Sequence, residues 1–194
     1  MRFALPLLLK AVDHVKKGGV IAYPTESVWG LGCDPMNQQA LEKLLALKQR
    51  DWRKGLILIS GHAAHFDDLL DAEQTKGGVR LTADARAKIM STWPGPTTWL
   101  IPLPKTTAYS PLVYGQHASI AARVTTHPMV VELTRHLQGP IISTSANRAG
   151  QPALKGRLQI LKCFGDQVYC LPGDTLGFDR PSDIFDAVTG RQLR

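Results

Sequence analysis

At 194 residues, 44% hydrophobic and 20% charged, the chain is long enough for one domain that buries roughly two-thirds of its unfolded surface, and its composition excludes a disordered tail or linker. The formal net charge of +7 favours an anionic partner such as a nucleotide or RNA, while three scattered cysteines and six histidines without metal-ligand spacing exclude a disulfide framework and a structural metal. No apolar run approaches the ~18 residues that span a bilayer, so no membrane partner is expected and the thiols suit a reducing cytoplasm.

The chain opens on Met1-Arg2-Phe3 and an apolar run that Lys10 cuts short, with no small-residue cleavage site after it. That reads as a first helix over 6–17 and not as a secretion signal. Leu8, Ala11, Val12 and Val15 share one face of it, and Gly18-Gly19 stops it. A strand over 20–23 then runs into a turn, Pro24-Thr25-Glu26-Ser27-Val28-Trp29-Gly30-Leu31-Gly32. Thr25 and Ser27 there either satisfy backbone groups or face a ligand, and Gly30 and Gly32 let the backbone approach something closely.

Asn37 is placed to cap a helix over 38–48, which leads into Gln49-Arg50-Asp51-Trp52-Arg53-Lys54-Gly55. Lys48 and Arg50 would point about 200° apart on a continuous helix, so they reach one anion only if the helix ends between them. The stretch is either a phosphate clamp or a solvated helix end whose cations complement the dipole. On either reading Lys48 is an exposed helix-end side chain whose removal is expected to leave folding intact.

A strand over 56–60 follows, then helices over 63–70 and 83–92, the latter capped by Thr82. Pro102 and Pro104 either end the next strand, 98–102, or place it at an edge. Residues 105–116 read as a loop-like insertion and a candidate lid. In the strand over 119–124, Arg123 interrupts apolar neighbours and needs either an internal carboxylate or a ligand's carboxylate or phosphate. After a helix over 128–137, a strand over 140–144 delivers Ser143, Thr144, Ser145 and Asn147 into one turn. So many donors at a strand's carboxyl end either cap the turn or hold an anion. A helix over 155–164 and strands over 168–171 and 184–188 complete the pattern. Short apolar strands spaced by helices make an α/β fold with a mixed sheet, and no repeat or linker divides residues 1–194, so a single domain is expected. Walker, dinucleotide-binding, nucleophile-elbow and zincin motifs are all absent from the sequence.

Seven short pieces recur in a particular order: Pro24-Thr25-Glu26 with Gly30-Leu31-Gly32, Lys48-Gln49-Arg50, Pro94-Gly95-Pro96-Thr97-Thr98, Arg123-Val124 with His127-Pro128, Ser143-Thr144-Ser145-Ala146-Asn147, Pro181-Ser182-Asp183-Ile184, and Leu193-Arg194. Together they resemble the YrdC/TsaC (Sua-YciO-YrdC) family nearly end to end. The resemblance implies a YrdC-like, single-domain, twisted open mixed sheet with flanking helices and a concave basic face. It also implies synthesis of L-threonylcarbamoyl-adenylate from L-threonine, bicarbonate and ATP, with release of pyrophosphate, for threonylcarbamoyladenosine modification of tRNA. Mg²⁺ would accompany ATP as the substrate complex. By position, Lys48 and Arg50 would be catalytic and, with Ser119, Ser145, Asn147 and Arg194, would bind the nucleotide. Thr25, Arg123, Ser143 and Ser182 would surround the threonine. The implied partners are the cytoplasmic threonylcarbamoyl-transferase machinery (TsaB, TsaD, TsaE), with tRNA or another RNA as a further candidate.

Two positions depart from the family pattern. Asp51 stands where proline often follows K-x-R, which is expected to change that loop. Ile59 stands where members with an extra C-terminal domain commonly place histidine, and it cannot donate a hydrogen bond. With no room for that extra domain, the chain resembles the short bacterial form. The competing readings are a non-catalytic RNA-binding module on the same basic surface, and a YciO-like paralogue. Such paralogues tend to lack the asparagine that stands here as Asn147.

Overall fold

The computed structural model describes residues 5–194; the first four residues of the apolar start lie outside them. In chain order the elements are α1 (Leu5–Lys16), β1 (Ile21–Pro24), β2 (Trp29–Gly32), α2 (Gln38–Lys48), β3 (Ile57–Ser60), α3 (Asp67–Leu70), α4 (Ala83–Thr92), β4 (Thr97–Pro102), α5 (Pro111–Tyr114), β5 (Ser119–Val124), α6 (Pro128–Leu137), β6 (Ile141–Ser145), α7 (Arg157–Phe164), β7 (Tyr169–Cys170) and β8 (Asp183–Asp186). Helix starts follow their caps: Asn37 accepts from the Ala40 N–H and Thr82 from the Ala85 N–H. Helix α2 stops at Lys48 because Gln49 adopts the left-handed conformation, φ 52°, and turns its N–H back to the Ala46 and Leu45 carbonyls.

The eight strands form one mixed sheet in the order β7-β1-β2-β6-β3-β5-β4-β8. Strand β6 runs antiparallel to both of its neighbours, β2 and β3, while β3 lies parallel to β5. Strand β2 corrects the sequence reading, in which residues 29–32 belong to a turn. Two glycines in four residues depress strand propensity. Gly32 is nevertheless required, since a Cβ there would strike the Ile142 carbonyl and the Tyr23 ring. The close approach it permits is to the neighbouring strand. Strand β4 is paired on both sides, by β5 and β8, so Pro102 ends the strand and marks no edge. Residues 105–116 are not a bare loop. They contain α5, whose Val113 is fully buried and whose carbonyl accepts the Leu56 N–H at 2.7 Å.

Alternation along the strands divides the side chains between two layers. Ile21, Tyr23, Ile59 and Ile141 face α1 and α6, packing with Leu8, Ala11, Val12, Val15, Met129, Val130 and Leu133. Ala22, Leu31, Leu58, Ala122 and Ile142 face the other way, toward Leu41 and Leu44 of α2, Ile89 of α4, and Ile160 and Phe164 of α7. Helices α1 and α6 cover only one end of the first face. Farther along that face, Ser143, Ile57, Ala121 and Leu100 stand abreast in register across four strands, and among the described residues none of those lining the cavity there belongs to an α-helix. This bare, concave stretch carries the site.

Candidate active site

A cavity of about 350 Å³ opens on the uncovered face, with Ser143, Ile57, Ala121 and Leu100 as its floor. Arg50, Lys54, Arg123 and Arg194 supply cations around it; Thr25, Ser27, Ser143, Thr144, Ser145 and Ser182 are its hydroxyl-bearing residues. Thr25, Arg50, Arg123, Ser143, Ser145, Ser182 and Arg194 are all site residues expected from the sequence, and the fold gathers them from six separate segments. The strand register explains part of this: Arg123 lies two residues beyond Ala121 on the same face of β5, and Ser145 two beyond Ser143 on β6.

Lys48, Asn147 and Ser119 lie outside the cavity lining. Lys48 is only 3% exposed, which corrects the reading of a solvated helix-end cation. Its ammonium donates to the Ser145 carbonyl, to the Asn147 carbonyl at 2.9 Å and to the Asn147 side-chain oxygen at 3.3 Å, occupying all three donors. The same amide oxygen accepts from the Ser145 hydroxyl at 2.6 Å. Lys48 and Asn147 thus shape the loop that presents Ser145, from behind the cavity wall. Burial, with a smaller contribution from the charge of Arg50, lowers the Lys48 pKa to about 8. Ser119 begins β5 on the same face as Ala121, one step short of the lining.

The helix ends between Lys48 and Arg50, as a shared anion site requires. Arg50 then donates from Nε and Nη2 to the Gly55 carbonyl, at 3.3 and 2.9 Å, which holds its guanidinium at the cavity edge. Asp51, the first departure from the family pattern, accepts the Arg53 N–H at 3.0 Å and caps the short turn Trp52–Lys54. The second departure, Ile59, is fully buried among the residues beneath α1 and α6 and does not reach the cavity.

Arg123 has the internal partner that its burial demanded. Its Nη2 lies 2.8 Å from Glu26 Oε2, with both side chains less than a tenth exposed. The other Glu26 oxygen accepts from the Thr125 hydroxyl. Ser182 shares a buried hydrogen bond with Thr98, 2.9 Å between hydroxyls, and its carbonyl accepts from Arg194 Nη2 at 2.9 Å. Arg123 and Arg194 both line the cavity, and burial, followed by the nearby Arg123 charge, lowers the Arg194 pKa. Sequence reasoning gave no role to Glu26, Lys54 or Thr98, although each stood inside a quoted motif. For Glu26 the missing inference was reciprocal: a carboxylate in a turn between two buried strands needs a cation as much as Arg123 needs an acid.

The Sua5–YciO–YrdC family model, described as "Telomere recombination", matches residues 13–194. The threonylcarbamoyl-AMP synthase of Hahella chejuensis is 50% identical over 186 residues, covering 95% of this chain and 96% of that protein. The protein of the same name from Chromohalobacter salexigens is 45% identical over 184 residues, covering 95% and 94%. Among solved structures, P. abyssi Sua5 complexed with L-threonine has a TM-score of 0.79 at 24% identity; the match covers 92% of this chain and 50% of that one, so the present chain spans about half of Sua5. E. coli YciO has a TM-score of 0.75 at 22% identity, covering 97% and 90%. At these identities the structural matches establish a shared fold, and the sequence matches over nearly the whole length carry the relationship: the chain belongs to the Sua5–YciO–YrdC family.

Proposed function

We propose that the chain, acting as one catalytic domain, makes L-threonylcarbamoyl-adenylate from L-threonine, bicarbonate and MgATP and releases pyrophosphate. The observation that carries this is the convergence of Arg50, Lys54, Arg123 and Arg194 with six hydroxyl-bearing residues on one cavity. Relatives named threonylcarbamoyl-AMP synthase at 45–50% identity over 95% of the chain support it, as does the threonine complex of a protein with this fold.

The chemistry suits the residues. Threonine's amine and bicarbonate condense to a carbamate with loss of water. A carbamate oxygen then attacks the α-phosphorus of ATP, and pyrophosphate leaves. The carbamate is already a competent nucleophile, so the step calls for alignment and for charge compensation on phosphate more than for a strong base. In this reading Arg50, Lys54 and Arg194 face the triphosphate, which brings Mg²⁺ with it. Thr25, Arg123, Ser143 and Ser182 hold the amino acid, and Ser145 lies between the two. Lys48 and Asn147 serve the nucleotide by holding the Ser145 loop. The labile adenylate passes to the threonylcarbamoyl-transferase machinery of tRNA modification in the cytoplasm. Among the described residues no helix is long and apolar enough to cross a membrane.

The test is to incubate the protein with MgATP, bicarbonate and labelled L-threonine. Pyrophosphate and a labelled adenylate should appear together, and only when all three substrates are present. Binding to RNA without either product would replace this reading with that of a binding module.

A further inference from the structure

We propose that Glu26 is a positioning residue for the amino-acid end of the cavity: its carboxylate fixes the direction in which the Arg123 guanidinium meets a substrate carboxylate. The inference rests on the functional reading above, and goes beyond it in giving a role to a residue that does not itself line the cavity.

Glu26 is 3% exposed, and both of its oxygens are engaged, one by Arg123 Nη2 at 2.8 Å and the other by the Thr125 hydroxyl. Thr125 is fixed in turn, because its oxygen accepts the His127 N–H at 3.0 Å. The main chain is held as well. The Phe178 N–H donates to the Glu26 carbonyl at 3.0 Å and the Leu176 N–H to the Thr25 carbonyl at 3.3 Å. His127 Nε2 meets the Asp174 carbonyl at 3.2 Å, so the segment running over this turn is fastened at three points. A carboxylate held at both oxygens is restrained against rotation, and it engages one nitrogen of a guanidinium that has five N–H donors. The remaining donors are left to the cavity that Arg123 lines.

A buried ion pair stabilises a fold little better than apolar residues of the same volume. What the pair does supply is direction, because a planar fork recognises a carboxylate only when correctly aimed. Glu26 also offsets the charge of Arg123. Selection of the amino acid then depends on the fit of its carboxylate to the fork more than on general attraction of anions.

The test compares wild-type protein with Glu26→Gln and Glu26→Asp by pyrophosphate-release kinetics and by calorimetric binding of L-threonine and L-threoninol, which lacks the carboxylate. Glu26→Gln should raise the KM for threonine at least tenfold, leave the KM for ATP within twofold, and erase the preference for threonine over threoninol. Glu26→Asp, which keeps the charge, should recover part of that preference. A threonine KM and a threonine-to-threoninol ratio unchanged in Glu26→Gln would overturn the inference, as would equal rises in both KM values, the mark of a merely structural role. If Glu26→Gln does not fold, Thr125→Val frees only the second oxygen and should shift the same ratio in the same direction by a smaller factor; an unchanged ratio there also overturns it. Wild-type protein that binds both ligands equally would overturn the functional reading, and this inference with it.

Discussion

Lys48 shows how a single side chain can be misplaced by its neighbours in sequence. Four cations in seven residues suggest a solvated helix end, yet the fold turns this ammonium inward against the carbonyls of Ser145, at the end of β6, and Asn147, just beyond it. Lys48→Ala would strand those acceptors, and hydrogen bonds from a charged donor contribute about 1.5–3 kcal/mol each. The expected outcome is therefore a lower melting temperature as well as lost turnover, measured by calorimetry and pyrophosphate release. The pH dependence separates the two effects. The Lys48 pKa is about 8 when folded, against 10.5 when unfolded, so between these values the unfolded chain holds more protons and rising pH favours the folded state. Turnover should nevertheless show an alkaline limb near pH 8 as the loop loses its charged tether. The limb should vanish in Lys48→Arg, while the wild-type melting temperature shows no matching fall relative to that variant. Arg123 behaves differently. Removing one partner of a buried ion pair costs about 3–5 kcal/mol, because the other charge is left unpaired. In a chain of this size, Arg123→Ala should lower the melting temperature by on the order of 10 °C.

At the scale of elements, most of the sheet was legible because buried strands announce themselves as short apolar runs, and helices α2, α4 and α6 as periodic segments with clear caps or stops. Strand β2 and helix α5 were not. The first is built on two glycines, and the second is one turn long; local propensity is weak in both cases and tertiary packing decides. The glycines of β2 make a contrasting pair. A Cβ at Gly32 meets backbone and ring atoms it cannot displace, whereas one at Gly30 sits at ordinary contact distance, 3.4 Å from the Tyr23 ring. Gly32→Ala should cost about 1–3 kcal/mol by overpacking and Gly30→Ala much less, a difference that parallel denaturant titrations would resolve. The site was legible as a set of segments. Its division into cavity-lining and loop-supporting residues was not, since that depends on which face a strand register presents and on which way a buried cation turns.

Across the whole molecule, β6 lies between the β1–β2 hairpin with β7 on one flank and β3, β5, β4 and β8 on the other. It is also encoded late, at Ile141–Ser145, and α6, which packs with α1, comes immediately before it. During synthesis the first hairpin and β3 therefore leave the ribosome with no strand to join them, and more than half the polypeptide must wait for its central partner. Such chains expose unpaired strand edges while they wait, the condition under which nascent proteins are most easily cleaved or captured by chaperones. Ribosome-stalled chains ending at residue 140 should be cut by protease between β2 and β3, while released chains of 194 residues should resist.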